Sequence, residues 1–322
     1  MPRTSPTARC STRSTVRDEY AASRQGPQPV SLSASAVVDI PVRTRARMRR
    51  VLPGFGLSLG LGLAWMSLVV LVPLLALSVR AAGLGIEGWM RAISDERVQA
   101  ALRLSFAASL VAAVLASIAG TLIAWVIVRY RFPGRRLLDA LVDLPFALPT
   151  AVAGIALTAI YSPTGWIGRF ADQAGIQIAY TPIGITLALV FIGLPFTVRT
   201  LQPVLESLGR EQEEAAVSLG ASRFTTWRRV VVPELLPAWL TGFSLAFARA
   251  LGEYGSVTFI AGNLPYRTEI APLLITIRLE EYDYNGAVAI AALLLVASFV
   301  CLLAINAIPS LFSHGRREGA HG

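Results

Sequence analysis

The stretch EQEEAAVSLGASRFTTWRRVVVPELLP, residues 211–237, differs from the sequence around it. It carries glutamates and arginines together with a glycine and two prolines, whereas the segments before and after it are strongly apolar. A polar, helix-patterned segment between two long apolar ones is typical of a chain that leaves a membrane and re-enters it. The apolar segments decide whether this interpretation holds.

Those apolar segments are long enough to cross a bilayer. The 322 residues are 54% hydrophobic and 15% charged, with a mean hydropathy of +0.58. A soluble domain carries about 25% charged residues, and a membrane span needs roughly 20 apolar ones. We therefore predict an all-α polytopic membrane protein with six transmembrane helices, the fifth interrupted only by Arg249 and Glu253. The predicted spans lie within residues 56–79, 104–128, 144–168, 174–198, 235–266 and 285–313.

The distribution of positive charge predicts the orientation of the spans. The 29 basic residues are all arginine, and sixteen of them flank span ends on one side of the membrane against seven on the other. Cytoplasmic loops carry the excess of positive charge, so we expect both termini, and residues 211–237 between spans four and five, to be cytoplasmic. This spread along the spans argues against nucleic acid as the reason for the net charge of +9. The predicted location is the bacterial plasma membrane.

Both ends of the chain are predicted to be polar tails. Residues 1–50 are rich in Arg, Ser, Thr and Pro and cannot bury enough apolar surface to fold, so we expect a disordered cytoplasmic tail. The same composition is found in organellar transit peptides, which leaves an organellar envelope as a minor alternative location. The membrane domain is predicted to cover 51–309, and residues 310–322 to form a second cytoplasmic tail.

The polar stretch is predicted to form two short helices. Apolar side chains recur at helical spacing over 206–220, and Gly220 offers the left-handed residue that often ends a helix. A second helix is expected from Ala221 to about Val231, with Ser222 as N-cap and Pro233 as its end. Its arginines suit an anionic lipid surface, but the nearby glutamates would be repelled there, so docking onto a soluble partner explains the mixed charge better.

The spacing within residues 214–233 resembles the EAA motif of ABC importer permeases: Glu-Ala-Ala, three residues, Gly, nine residues, an aliphatic, any residue, an aliphatic and Pro. In that family the segment is a cytoplasmic coupling helix that sits in a cleft of the ATPase subunit. The resemblance implies a coupling segment over 206–233 between helices 4 and 5. The residues assigned to ATPase coupling are Glu213, Glu214, Ala215, Ala216, Gly220 and Pro233.

The resemblance extends through 141–154, 193–205 and 247–290, which are similar to the T-type subunit of sulfate/thiosulfate permeases. The motif RALGEYG also occurs in close form in molybdate permeases, so a molybdate or tungstate permease stays the alternative. The resemblance implies a type I importer permease fold, with its core at about 99–306. It also implies a partner ATPase dimer that binds ATP and magnesium, a second permease of the W type, and a soluble sulfate-binding protein.

Arg249 and Glu253 are the ionisable residues inside a predicted span, four apart and expected on one face of helix five. Intramembrane charges are usually paired or functional, and two readings stay open. Either the pair neutralises itself within the bundle, or it loosens during transport and exposes Arg249 to the anion. Together with Gly252 and Ser256 the two residues are the candidates for the translocation path. The outer-loop residues Arg267, Glu269, Arg278, Glu280, Glu281 and Asp283 are candidates for binding-protein docking.

The composition also bears on competing classes of protein. A P-loop needs a lysine and the chain has none, so we expect no nucleotide site, no catalytic residue and no cofactor in this chain. Both histidines lie near the C-terminus, and no metal-binding constellation is expected. An ion-coupled secondary carrier would show an inverted internal repeat, which the sequence lacks.

Overall fold

The computed structural model describes residues 55–317, with side chains described for 56–307 apart from Arg210. Contacts divide the chain into residues 1–60, of which only the start of the first helix is described, and residues 61–322. The predicted tail at 1–50 lies outside the described residues. The last helix continues to Arg317, into the predicted tail at 310–322.

Every regular element in the described part is helical, in agreement with the predicted all-α class. The α-helices in chain order are α1 (Phe55–Met66), α2 (Val72–Ala82), α3 (Gly85–Ser94), α4 (Glu96–Arg129), α5 (Arg135–Ala147), α6 (Thr150–Tyr161), α7 (Gly168–Gln173), α8 (Pro182–Ser207), α9 (Arg210–Ser218), α10 (Arg223–Thr226), α11 (Val232–Leu251), α12 (Gly255–Ile260), α13 (Ala271–Glu280) and α14 (Tyr284–Arg317).

Five helical stretches within 55–317 are long and apolar enough to span a membrane, and a bent helix pair makes a sixth. The prediction of six transmembrane segments is therefore confirmed, with one correction. The third segment is not a continuous helix over 144–168, because α5 and α6 meet at an angle of 115°. The chain breaks at Leu148 and Pro149, since a residue before proline avoids the helical conformation.

Two of the spans carry a π turn directly before a proline. Residues Ser67–Leu71 precede Pro73, and residues Trp227–Val231 precede Pro233. In each turn the closing N–H reaches back five residues, from Val72 to Ser67 and from Val232 to Trp227. Proline has no N–H to donate, and a single wider turn lets the helix continue past it.

The interior around α4, α8 and α11 is built from small residues. A methyl group at Gly120 would lie 2.8 Å from the Cβ of Thr197, and one at Gly193 would touch Ala116 and Ala246. Small residues let helix backbones approach closely in a membrane. This packing holds α4, α8 and α11 together as the support for the coupling segment.

Candidate coupling and translocation site

The coupling segment, residues 206–233, leaves the bundle through a short break. Helix α8 ends at Ser207, and α9 begins after Leu208 and Gly209, so the predicted single helix over 206–220 was wrong. The prediction for Gly220 is confirmed, since its φ is +83°. Ser222 is also confirmed as an N-cap, because its hydroxyl accepts a hydrogen bond from the Thr225 N–H at 3.2 Å.

Pro233 does not end the second helix, contrary to the prediction. Helix α10, the π turn and α11 run on as one helical stretch, Arg223–Leu251, of 29 residues. A proline has no N–H and its ring clashes with the carbonyl four residues earlier. The wider π turn before Pro233 accommodates both effects, so the helix continues. As a result the projecting segment and the fifth span are one continuous element.

The outer surface of the coupling segment is rich in exposed apolar groups. Leu219 is 89% exposed, and Val217 and Phe224 are also exposed. The rings of Phe224 and Trp227 stack with 6.5 Å between their centroids. Exposed apolar groups on a projection outside a membrane span are typical of a protein contact. The predicted coupling residues Glu214 and Ala215 are exposed beside them.

Arg129, at the end of α4, fastens the coupling segment to the bundle. Its Nη2 lies 2.5 Å from Oε1 of Glu213 and donates to the Leu208 carbonyl at 3.0 Å. Its guanidinium also lies over the Trp125 ring, 5.4 Å from the centroid. A charge-assisted hydrogen bond is stronger than a neutral one, so α9 is held against the end of α4. Glu213 thus faces inward, unlike Glu214.

Arg249 and Glu253 form the predicted pair, but the two residues do not lie on one helix as expected. Helix α11 ends at Leu251, so Glu253 lies beyond it rather than on the same helical face. Arg249 Nη1 is 2.5 Å from Glu253 Oε2, while the other carboxylate oxygen accepts from the N–H and hydroxyl of Ser256 at 2.9 and 3.1 Å. Glu253 therefore also accepts from a backbone N–H in the first turn of α12. Its side chain is 2% exposed, against 34% for Arg249.

The break after α11 faces the break between α5 and α6. A methyl group at Gly255 would lie 2.2 Å from the hydroxyl of Thr150, and one at Gly154 would lie 2.4 Å from the Ser256 carbonyl. The start of α6 and the start of α12 therefore touch through glycines on both sides. Gly252 itself is exposed and closes α11 with a φ of −91°. Irregular backbone at membrane depth is tolerated where it is buried in protein or lines a water-filled cavity.

One charged cluster was missed by the reasoning from sequence. Arg199 on α8 donates to both oxygens of Asp143 at 2.8 and 2.5 Å and to Asp139 Oδ1 at 2.7 Å. Asp139 and Asp143 lie four residues apart on α5, which puts both on one helical face. That spacing was the available signal. The cluster ties the helix before the Pro149 break to the span that leads into the coupling segment.

Four of the outer-loop candidates, Glu269, Arg278, Glu281 and Asp283, are engaged in ion pairs inside the chain. Glu269 is 1% exposed at its side chain and accepts from Arg97 at 2.8 and 2.7 Å, so its prediction as a docking residue was wrong. Arg278 pairs with Asp95 at 2.9 Å. Both pairs join the start of α4 to the segment around α13. Glu280 and Glu281 remain exposed on that surface.

Comparison with known proteins identifies the family to which this chain is similar. Residues 112–316 match the family described as "Binding-protein-dependent transport system inner membrane component". The chain is 49% identical to the sulfate transport system permease protein CysT of Salmonella typhimurium over 272 residues, 84% of this chain and 98% of that protein. It is 50% identical to the CysT protein of Synechocystis sp. over 242 residues, 75% of this chain and 85% of that protein.

Solved structures of low sequence identity share the fold. A bacterial ABC transporter involved in the import of the acidic polysaccharide alginate matches with a TM-score of 0.66 at 16% identity, over 79% of this chain and 95% of that one. The same kind of transporter in complex with an alginate pentasaccharide-bound periplasmic protein matches with a TM-score of 0.65 at 17% identity, over 79% and 92%. The fold is that of type I ABC importer permeases, as the EAA spacing implied. The chain therefore belongs to the inner membrane components of binding-protein-dependent transport systems and, within them, to the family of the CysT sulfate permeases.

Proposed function

We propose that the chain is the transmembrane permease subunit of an ATP-driven importer of sulfate and thiosulfate. The observation that supports sulfate as the cargo is the 49% identity with a sulfate permease over 98% of that protein. The molybdate or tungstate alternative is not favoured by these relatives. A secondary carrier is not favoured either, because the family is a component of binding-protein-dependent systems.

The partners follow from the position of the coupling segment. A dimer of ATPase subunits binds ATP and magnesium and receives the exposed face of α9 and α10, with Glu214, Ala215, Ala216 and Gly220 at the contact. This surface is cytoplasmic, and so are both termini, by the arginine distribution. A second permease of the W type completes the membrane unit, and a soluble sulfate-binding protein delivers the anion to the opposite surface.

Coupling works through the continuous helix that leads from the ATPase contact into the membrane. The 29 residues of Arg223–Leu251 span about 43 Å at the rise of an α-helix. A displacement of the coupling segment by the closing ATPase dimer is carried along this helix to Gly252. There the two backbone breaks meet, and the permease pair opens outward to accept the anion. Hydrolysis reverses the motion.

The anion passes near the break after α11. A sulfate dianion needs positive charge along its route, and Arg249 is the cation at this break whose side chain keeps a third of its surface open. Glu253 and Ser256 hold one another through two hydrogen bonds, so they fix the geometry of the break. Gly252 lets the chain turn between the two helices.

Uptake of labelled sulfate tests this proposal directly. Cells that lack the chain should lose uptake, and the native chain should restore it. Unlabelled thiosulfate should compete, whereas molybdate and tungstate should not. Unchanged sulfate uptake together with lost molybdate uptake would keep the architecture and overturn the cargo.

A further inference from the structure

A pocket of about 450 Å³ lies between α3 and the first turns of α14. The ends of α2 and α13 and the start of α4 complete its walls. On α4, Val98 in the pocket and Arg129 beside the coupling segment are separated by about 46 Å at the rise of an α-helix. The pocket is therefore on the other side of the membrane from the coupling segment and takes no part in the ATPase contact.

Three arginines line the pocket, and only one of them is balanced by carboxylates. Arg278 pairs with Asp95 at 2.9 Å and lies 3.6 Å from Asp283. Arg80 and Arg91 form no ion pair with any residue that the structure describes. The buried Nε of Arg278 also has no hydrogen-bond acceptor within the described residues. These unused N–H donors and positive charges suit an oxyanion, which a guanidinium binds with charge-assisted hydrogen bonds.

Helix α3 directly follows the first span and is apolar on the side away from the pocket. Its exposed apolar side chains, Ile86, Met90 and Ile93, are spaced four and three residues apart and so share one helical face. The Nε1 of Trp89 donates to the Ala81 carbonyl at 3.1 Å, which holds α3 against the end of α2. A helix with one apolar face that adjoins a span is typical of the membrane interface. The pocket therefore lies at the level of lipid headgroups.

We propose that this pocket binds the phosphate of an anionic phospholipid in the leaflet opposite the coupling segment. Arg80 and Arg91 donate to the phosphate oxygens. The acyl chains lie along α2, where Leu75 and Val79 are 55% and 70% exposed next to Arg80. A zwitterionic headgroup would bring a cation beside two arginines that have no carboxylate of their own, so a headgroup without a cation binds better. The proposal does not depend on the transported anion.

Lipid retention by the purified full-length chain tests the site. The chain is equilibrated in detergent with equal amounts of phosphatidylglycerol and phosphatidylcholine, and retained lipid is measured by native mass spectrometry. We expect each unpaired arginine to contribute about fivefold to a preference for phosphatidylglycerol. Arg80→Gln and Arg91→Gln should each lower the preference by that factor, and the double variant should abolish it. Arg103→Gln is the matched control, because Arg103 is exposed near the same end of α4 but does not line the pocket.

Inorganic phosphate distinguishes a lipid from a free anion as the ligand. Added in tenfold excess over lipid, it should leave the retained phosphatidylglycerol unchanged, because it lacks the apolar contacts with α2. Displacement of the lipid under these conditions would assign the pocket to a free oxyanion and overturn the lipid as its source. Equal retention of the two lipids by the native chain would overturn the site itself. The same holds for a preference that Arg103→Gln lowers as much as Arg80→Gln and Arg91→Gln do.

Discussion

The carboxylate of Glu213 and the guanidinium of Arg129 join a projecting helix to the end of a membrane span, with 2.5 Å between the paired atoms. Sequence separation between the two residues is large, and only folding of α8 and α9 brings them together. Neighbouring Glu214 points to the outside of the same segment. The two adjacent glutamates of the coupling segment therefore differ: Glu213 is paired with the bundle, and Glu214 is exposed.

Glu213→Gln should weaken coupling while insertion into the membrane stays normal. The neutral side chain keeps only a weaker hydrogen bond to Arg129, so α9 is held less firmly to the end of α4. A movement imposed on α9 by the ATPase would then be transmitted less completely to the bundle. We expect sulfate uptake per ATP hydrolysed to fall about fivefold, equivalent to about 1 kcal/mol. Glu211→Gln is the control, since Glu211 is exposed on the same helix and unpaired among the described residues. Equal effects of both variants would show that general charge at the ATPase contact matters instead.

The effect of substituting Gly220 should depend on how readily the new residue adopts a left-handed backbone conformation, and not on the size of its side chain. Its φ is +83°, and no atom lies within 4 Å of an added Cβ. The left-handed conformation costs about 1 kcal/mol for most residues, and asparagine adopts it more readily. We expect uptake to decrease in the order Gly, Asn, Ala, Val at equal membrane levels. If Ala retained more uptake than Asn, packing against the partner would decide instead of the backbone.

A double variant can distinguish a structural role of the pair Arg249 and Glu253 from a role in transport. Arg249→Gln alone leaves a buried carboxylate unpaired and should lower stability by about 3 kcal/mol. The double variant Arg249→Gln, Glu253→Gln removes that charge and keeps an oxygen for the Ser256 hydrogen bonds. We expect it to recover the melting temperature but not sulfate uptake. Recovery of both would assign the pair to stability alone.

Gly154→Ala should disturb the contact between α6 and α12. The added methyl group would lie 2.4 Å from a backbone oxygen of Ser256, so one helix must shift. Overpacking of this kind costs about 2 kcal/mol, measured as a lower melting temperature and reduced uptake. Gly62→Ala serves as control, because nothing lies within 4 Å of its added Cβ. Normal uptake by Gly154→Ala would mean that the two breaks need no close contact.

Hydropathy and spacing predicted most of the architecture. The six apolar segments, the left-handed Gly220 and the Ser222 cap are properties of local sequence, and each was found, although the third segment is bent and the fifth ends at Leu251. The helix-stopping role assigned to Pro233 was wrong because a proline can be accommodated by a preceding π turn. That turn depends on tertiary packing of the helix, which local propensity does not contain.

The pairing of distant charges was the harder part. The sequence did not predict that Arg199 binds two aspartates of α5. Glu269 was expected on the surface and is buried against Arg97. In both cases the partner lies far along the chain, and hydropathy does not reveal which residues of two packed helices lie opposite each other. The predicted fifth span over 235–266 was also too long, since hydropathy does not reveal that the helix stops at Leu251.

The π turn at Trp227–Val231 gives the helix one residue more than regular α-helical winding would use. Each residue of an α-helix advances the side-chain direction by about 100°. Deleting one residue within this turn would therefore restore regular winding and turn the projecting segment about the helix axis relative to α11. The direction in which the coupling segment projects from α11 is thus set by the number of residues before Pro233, and less by which residues they are.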